Sequence, residues 1–420
     1  MQVTCNTYFK LQKEHKHTMN RISKTSKFLS IILSICLVMG SIVFFTPETY
    51  AASGVNSAKK AYTKAVNSEA RAKAAYDYAL KAYEAASVQY KKGSRGFFQW
   101  IINNYSDWRA DDARMAIEVL DTTSFKSYTN EGSDTDATDL TLMKYCIELL
   151  PTMEKDRAGD ENFRNLPPVK VWSRYMARAQ VNANASAETY SHMGNDAGCS
   201  IDGMGECLAW GYSDPFVGWY DKEKKIYNSN KNAPFSEVGH YLIVCGGRDS
   251  DQYIVGLGGN DTDTGWFTTC LTAAAAYSDE TAYTVSEYTN MFMQYYNAVY
   301  PKSEKAALDK ATDAYDKALD KTQSKLSTLK KSLRPSVVSA KRKGKKTTVK
   351  WKKKSGAAGY QISVSTKKGK TKIVANAGKK KTKATVKVKK AKKQYVKVRA
   401  YVKVNGKKVY GKWSKAVRTN

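Results

Sequence analysis

The 420-residue sequence predicts a mixed α+β chain that ends in an all-β module. Three observations lead there. Two long stretches, 54–92 and 302–333, carry Ala, Tyr and Leu at three- and four-residue spacing, the period of an amphipathic helix. Between them, helical patterns come first and apolar strand-like runs come last. After Pro335 the pattern changes to period two between Gly- and Lys-rich turns, as short strands require.

The first stretch reads as an address. Arg21, Lys24 and Lys27 precede an apolar run from Phe28 to Phe45, and Thr49-Tyr50-Ala51 offers a small-residue cleavage site. Residues 1–51 are therefore expected to be a signal peptide, with Met19 a more ordinary start than Met1. No later segment is apolar enough to span a membrane, so export without a membrane span after cleavage is the expectation.

In the first helix, 54–94, Tyr62, Ala65, Ala72, Tyr76, Ala79, Tyr83, Ala86 and Tyr90 form the stripe, with Glu69 its one break. In the second, 301–333, Leu308, Ala311, Tyr315, Ala318, Leu326, Leu329 and Leu333 do the same. Small Ala opposite large Tyr would let the two pack closely, which predicts an antiparallel coiled-coil stalk bracketing residues 95–300. Two separate solvated helices would satisfy the same pattern.

Within 95–300 helices are expected at Trp108–Leu120, Leu140–Lys155 and Val171–Ala187, and strands at Tyr241–Cys245, Tyr253–Leu257 and Trp266–Thr269. Once the signal is removed, only two histidines remain, His192 and His240. They stand in Tyr190-Ser191-His192 and Val238-Gly239-His240-Tyr241. Between them lie Gly205-Glu206-Cys207-Leu208-Ala209-Trp210-Gly211 and Gly218-Trp219-Tyr220-Asp221-Lys222-Glu223. Histidine titrates near neutral pH and is the commonest metal ligand, so two imidazoles beside two glutamates point to a site.

These phrases resemble the CAP superfamily, which includes cysteine-rich secretory proteins, insect antigen 5 and plant pathogenesis-related proteins, here of the bacterial secreted type. The resemblance covers about 100–300 and is most specific from Tyr190 to Val244. It implies an α-β-α sandwich with a cleft lined by His192, Glu206, Glu223 and His240. His192 and His240 are the metal ligands it implies, for zinc or another divalent ion. The glutamates would orient the rings or position a water. Without metal, the same four groups would form two His–Glu pairs. No nucleophile is evident beside them, so binding of a metal, small ligand or peptide is preferred over catalysis. A metal-assisted hydrolase of peptide or cell-wall material is the alternative.

Five cysteines follow the signal, an odd number. Cys199 and Cys207 flank a short loop and are the first pair to consider for a disulfide, although connectivity is not fixed by spacing. Cys207 stands where the family phrase has Asn, which opens a second reading as a nucleophile or thiolate ligand. Gly256–Asp263 is Gly/Asp-rich; a hairpin turn accounts for it, and calcium is the weaker reading.

From Pro335 to Asn420 there are 30 Lys and Arg and no Asp or Glu. Residues 1–334 sum to zero, with 39 basic against 39 acidic. The period-two segments around Trp351, Tyr360–Val364, Ala384–Val388 and Val396–Ala400 resemble a bacterial fibronectin type III domain, without its corner tyrosine, since Gln394 occupies that parity. Outward lysines on such a sandwich predict attachment to an anionic cell-wall polymer or host polyanion through 335–420. No aromatic platform for nucleic-acid bases is evident, so no specific nucleic acid is expected. No sortase-type tail precedes Asn420, which predicts a secreted, non-covalently wall-associated protein.

Overall fold

The computed structural model describes residues 54–193, 205–246, 252–261, 267–276, 281–368, 370–388 and 393–419. The signal segment and Cys199 lie outside these. Among the described residues no helix is long and apolar enough to cross a membrane. The chain is mixed α+β and divides into two compact units, one formed by residues 79–309 and the other by the N-terminal stretch to 78 together with 310–420. Two long helices, α1 (Gly54–Ala86) and α9 (Lys302–Ser332), contribute to both.

The unit 79–309 is built on a five-stranded sheet in the order β2-β4-β3-β1-β5. Its strands are β1 (Val169–Val171), β2 (Gly205–Trp210), β3 (Gln252–Asp261), β4 (Phe267–Ala276) and β5 (Tyr283–Thr284). β1 runs parallel to β3 and the other pairs are antiparallel. Around it lie α2 (Gly93–Asn104), α3 (Trp108–Thr122), α4 (Leu140–Ala158), α5 (Ser173–Thr189), α6 (Glu223–Ser229), α7 (Phe235–Cys245) and α8 (Val285–Val299).

The sheet meets α5 with almost no space. A Cβ on Gly256 or Gly258 would overlap the backbone carbonyls of Tyr175 or Ala179, so β3 needs glycine at both positions. That contact buries α5 along its whole length: every residue from Tyr175 to Ala187 is inaccessible, polar Arg178, Gln180, Asn182 and Asn184 included. The main apolar core gathers Phe97, Phe98 and Ile101 of α2, Met143 and Ile147 of α4, and Tyr288 and Phe292 of α8.

α5 borrows its N-terminal cap from another helix. Trp172 at the cap position has no side-chain oxygen to offer, and the buried Asp112 carboxylate of α3 accepts from the backbone N–H of Ser173 at 2.6 Å instead. An anion at this end also meets the positive pole of the helix.

Two sequence expectations change here. Tyr241–Cys245 is not a strand but the last turns of α7, which starts after Pro234 and stops at Gly246, left-handed at φ 79°. A five-residue apolar run has no period of its own, and the Pro and Gly that bracket eleven residues decide for helix. Gly256–Asp261, expected as part of a hairpin turn, instead continues β3, which is in register with β4 from Gln252↔Ala276 to Asp261↔Phe267, and the rest of that motif lies outside the described residues.

In the other unit, residues 337–418 form two sheets. One is β10-β7-β6, from β6 (Val337–Lys343), β7 (Lys346–Trp351) and β10 (Lys383–Lys387). The second joins β8 (Gly359–Ser365), β9 (Ile373–Gly378), β11 (Tyr395–Val404), β12 (Lys407–Tyr410) and β13 (Val417–Arg418). Val396, Val398 and Ala400 point inward and are fully buried. Trp351 packs on Tyr360 with ring centroids 5.3 Å apart. Gln394 is buried too, where its side-chain oxygen accepts from Thr347 Oγ1 at 2.9 Å.

This core does not close on its own strands. Val55 and Ala58 of α1 and Leu329 and Leu333 of the α9 end belong to the same buried cluster. Further along, Tyr76 stacks on Tyr315 at 5.9 Å. Positions rising along α1 therefore meet positions falling along α9, an antiparallel pair. Glu69, the break in the α1 stripe, is half-buried, and that burial raises its pKa.

Candidate functional site

Each sequence-predicted polar residue of the cleft is described, and the four come together as two pairs. His192 lies in the loop after α5, Glu206 on β2, Glu223 at the first position of α6, and His240 on α7. His192 Nδ1 is 2.8 Å from Glu206 Oε2 and His240 Nδ1 is 2.6 Å from Glu223 Oε1. The two rings are 6.2 Å apart between centroids and inclined by only 21°.

The carboxylates lie underneath and the imidazoles on top. Side-chain exposure is 11% for Glu206 and 16% for Glu223, against 55% for His192 and 31% for His240. Each carboxylate is also held by backbone: Glu206 Oε2 accepts from the N–H of Met193 at 3.2 Å, and Glu223 Oε2 from that of Tyr241 at 3.0 Å. A carboxylate accepting from Nδ1–H fixes the tautomer and leaves a lone pair on Nε2 of each neutral ring.

Local folding explains the placement. α5 ends at Tyr190 in the left-handed region, φ 53°, which turns the chain toward the sheet. Ser186 then ties the turn, its hydroxyl donating to Ser191 O at 3.0 Å and its carbonyl accepting from Trp210 Nε1 at 3.1 Å. On the other side, a π-helical segment, Val217–Lys222, leads into Glu223. Such segments are rare and gather at functional sites. Its buried Trp219 donates to Leu208 O at 2.9 Å and lies 6.4 Å from the His240 ring.

Sequence reasoning missed three supporting residues. Asn182 of α5 donates to Glu206 Oε1 at 2.8 Å. Cys270 of β4 points its thiol at the same oxygen, 3.7 Å away. Asp160, with a fully buried carboxylate, accepts from Tyr220 at 2.7 Å and Tyr241 at 2.9 Å and pairs with Lys224 at 3.1 Å. It thus ties the π-helical segment, α6 and α7 into one body around Glu223 and His240. Burial opposes the Asp160 charge, yet these donors hold its pKa below the ordinary value. Only the run of polar residues in an otherwise buried helix, Asn182 among them, could have flagged this layer.

Cys207 lies fully buried in the main apolar core. It is a buried free thiol, 4.0 Å from the carbonyl of His240. Burial, then the charges of Glu223 and Glu206, push its pKa well up. A nucleophilic cysteine needs the opposite shift, so the geometry gives it no role as thiolate. The expected Cys199–Cys207 bridge is not described, because Cys199 lies outside the described residues.

Among the described residues no group of three or more His, Cys, Asp or Glu converges on one point. With metal–nitrogen distances of about 2.1 Å, two Nε2 atoms sharing an ion leave ring centroids at most about 6.5 Å apart. The observed 6.2 Å falls at the open end of that range. That spacing admits an ion between the two imidazoles only at a wide angle, with the glutamates behind the rings and no third side-chain ligand among the described residues.

No protein-family model matches the chain, and no curated protein does. Among solved structures, a venom allergen-like protein from Schistosoma mansoni aligns at 18% identity over 34% of this chain and 97% of that one, with a TM-score of 0.25. An Fn3-like protein from Clostridium thermocellum aligns at 26% identity over 20% of this chain and 88% of that one, with a TM-score of 0.18. A β-1,2-glucanase from Parabacteroides distasonis aligns at 24% identity and a TM-score of 0.18, over 20% of this chain and 12% of the enzyme. Similarities this low carry no structural argument here.

Proposed function

We propose that this is a secreted, CAP-like binding protein whose cleft takes a divalent metal or small ligand between His192 and His240, carried to anionic surface polymers by a polycationic fibronectin type III-like module. One observation carries the cleft reading. Both imidazoles are oriented through Nδ1 by partly buried carboxylates and, among the described residues, have no partner at Nε2, while the two thiols nearby, Cys207 and Cys270, are buried and protonated. When bound, a divalent ion would supply Lewis acidity at that position. His192 and His240 would hold it, Glu206 and Glu223 would fix the rings, and Asn182 and Asp160 would keep those carboxylates in place.

The hydrolase alternative shares these groups, because a carboxylate–histidine pair also prepares a metal for water activation. Two protein ligands, against the usual three of catalytic zinc, favour binding. Zinc titration of the full chain and of His192→Ala and His240→Ala separates the readings. Binding lost in both variants, without hydrolysis of peptide or wall fragments by the parent chain, supports the first. Hydrolysis abolished by Glu206→Gln or Glu223→Gln would establish the second. Unchanged zinc binding in both His variants would remove the metal from either.

A further inference from the structure

The polycation is larger than the sandwich. Within the unit that joins residues 54–78 to 310–420, α1 adds a stripe of cations of its own. Lys59, Lys60, Lys64 and Arg71 line one shallow groove, about 610 Å³ and largely open to solvent, together with Asn56, Thr63 and Asn67. Lys60, Lys64 and Arg71 are exposed. Their spacing keeps them on one side of the helix, beside the Val55, Ala58 and Tyr62 stripe that enters the sandwich core. None of the lining residues is acidic, and among the described residues none of the four cations makes an ion pair.

Two turns of the sandwich come up to this helix. Gly356 sits so close to Asn56 that a Cβ there would overlap the amide oxygen. Asn405 donates to Asn67 at 3.4 Å. The first turn follows Lys352, Lys353 and Lys354, and the second is flanked by Lys403 and Lys408. The charge of the whole unit follows: residues 54–78 and 310–420 hold 42 Lys and Arg against 5 Asp and Glu. Residues 79–309 hold 21 against 32. One unit is thus strongly cationic and the other is net anionic.

We infer that the α1 groove is a specific track for a polyol-phosphate polymer, with the sandwich lysines as its surrounding field. This rests on the polyanion reading above and gives it a place and a chemical class. At 1.5 Å per residue the lining from Asn56 to Arg71 extends about 22 Å, long enough for several repeats of a linear chain. Its cations are separated by neutral Asn and Thr side chains that donate and accept hydrogen bonds, a pairing that suits phosphates alternating with hydroxyl-bearing units. The groove contains no aromatic residue, whereas proteins that hold single-stranded nucleic acid stack its bases on aromatic rings.

The test uses the full chain and a Lys60→Gln/Lys64→Gln/Arg71→Gln variant. A control variant, Lys367→Gln/Lys368→Gln/Lys380→Gln, removes equal charge from exposed sandwich positions. Glutamine is a good helix former, and circular dichroism verifies both folds. Binding is measured against defined-length poly(glycerol phosphate), a sulfated polysaccharide and a single-stranded oligonucleotide, from 50 to 300 mM salt. The groove variant is expected to lose tenfold or more in affinity for poly(glycerol phosphate) and to show a shallower salt slope, with the control losing about threefold or less. Equal losses in the two variants would overturn the groove while leaving a diffuse polycation. Tighter binding of the oligonucleotide or the sulfated polysaccharide, with the same dependence on the groove, would overturn the polymer class. Absence of binding to all three by the parent chain would sink the polyanion reading itself.

Discussion

His240 and Glu223 lie 2.6 Å apart, and the residue after that histidine clamps the same carboxylate: the Tyr241 N–H donates to the second oxygen at 3.0 Å. The glutamate is thus aligned by one backbone donor and aligns one ring in turn. A related arrangement recurs at Glu206, where His192 Nδ1 and the N–H of Met193 share the one oxygen, Oε2.

Glu223→Gln keeps the size of that side chain but not its acceptors. If the amide oxygen serves His240, its NH2 group faces the Tyr241 N–H, donor against donor. Zinc affinity of the full chain is expected to fall about 10- to 100-fold, the usual cost of losing a group that orients a ligand. Isothermal titration with zinc chloride checks this, and an unchanged affinity would show that Glu223 does not position His240.

Asn182→Ala removes the one side-chain amide beneath Glu206. The oxygen it serves would keep only the weak Cys270 thiol as donor, at a cost of about 1–3 kcal/mol by urea unfolding. Asn182→Asp is expected to cost more, and more at pH 8 than at pH 5, because a second carboxylate would meet Glu206 at 2.8 Å or so. Equal stability of Asn182→Asp at both pH values would count against this contact.

Asp112 gives the fold a pH dependence of definite sign. Burial raises its pKa to about 6, more than the Ser173 N–H and Arg174 pull it down. A carboxyl that holds its proton more tightly folded than unfolded favours the native state at low pH. Its contribution is complete below about pH 4 and is lost as pH rises toward and past 6, by up to about 3 kcal/mol. Asp112→Asn removes this term. The melting temperature of the variant, relative to the parent, should therefore rise between pH 4.5 and 7, and a constant difference would refute the assignment.

Cys207 should behave as an inert core thiol. Iodoacetamide at pH 8 is expected to label it at under about 1% of the rate in the urea-unfolded chain, since the thiolate and access are both lacking. Cys207→Ala should leave zinc affinity within about twofold and cost about 1 kcal/mol from the small cavity. Rapid labelling of the native chain would restore the nucleophile reading.

Much of the cleft could be read from motifs because each of its four members stands in a distinctive phrase of its own. The layer beneath could not. Asn182 reaches Glu206 across 24 residues of sequence, Cys270 across 64, and Asp160 meets Tyr241 across 81. No spacing rule links such pairs; only the packing of α5 against β3 and of α4 beside α7 does. The run Tyr241–Cys245 failed for a related reason, since five apolar residues are equally good strand or helix until their neighbours cap them.

By itself, the sequence determined the helical periods of α1 and α9, the inward parity of β11, the motifs that carry His192, Glu206, Glu223 and His240, and the concentration of 30 cations after Pro335. These are local or compositional properties, set by side-chain chemistry within a few residues. Only the tertiary structure decided that His192 and His240 turn Nδ1 to carboxylates, that Cys207 is a buried core thiol, and that α1 packs on the sandwich with its lysines beside it. Such relations depend on which faces are buried together. Burial is settled by the whole chain minimising exposed apolar surface and unpaired polar groups, not by any one segment.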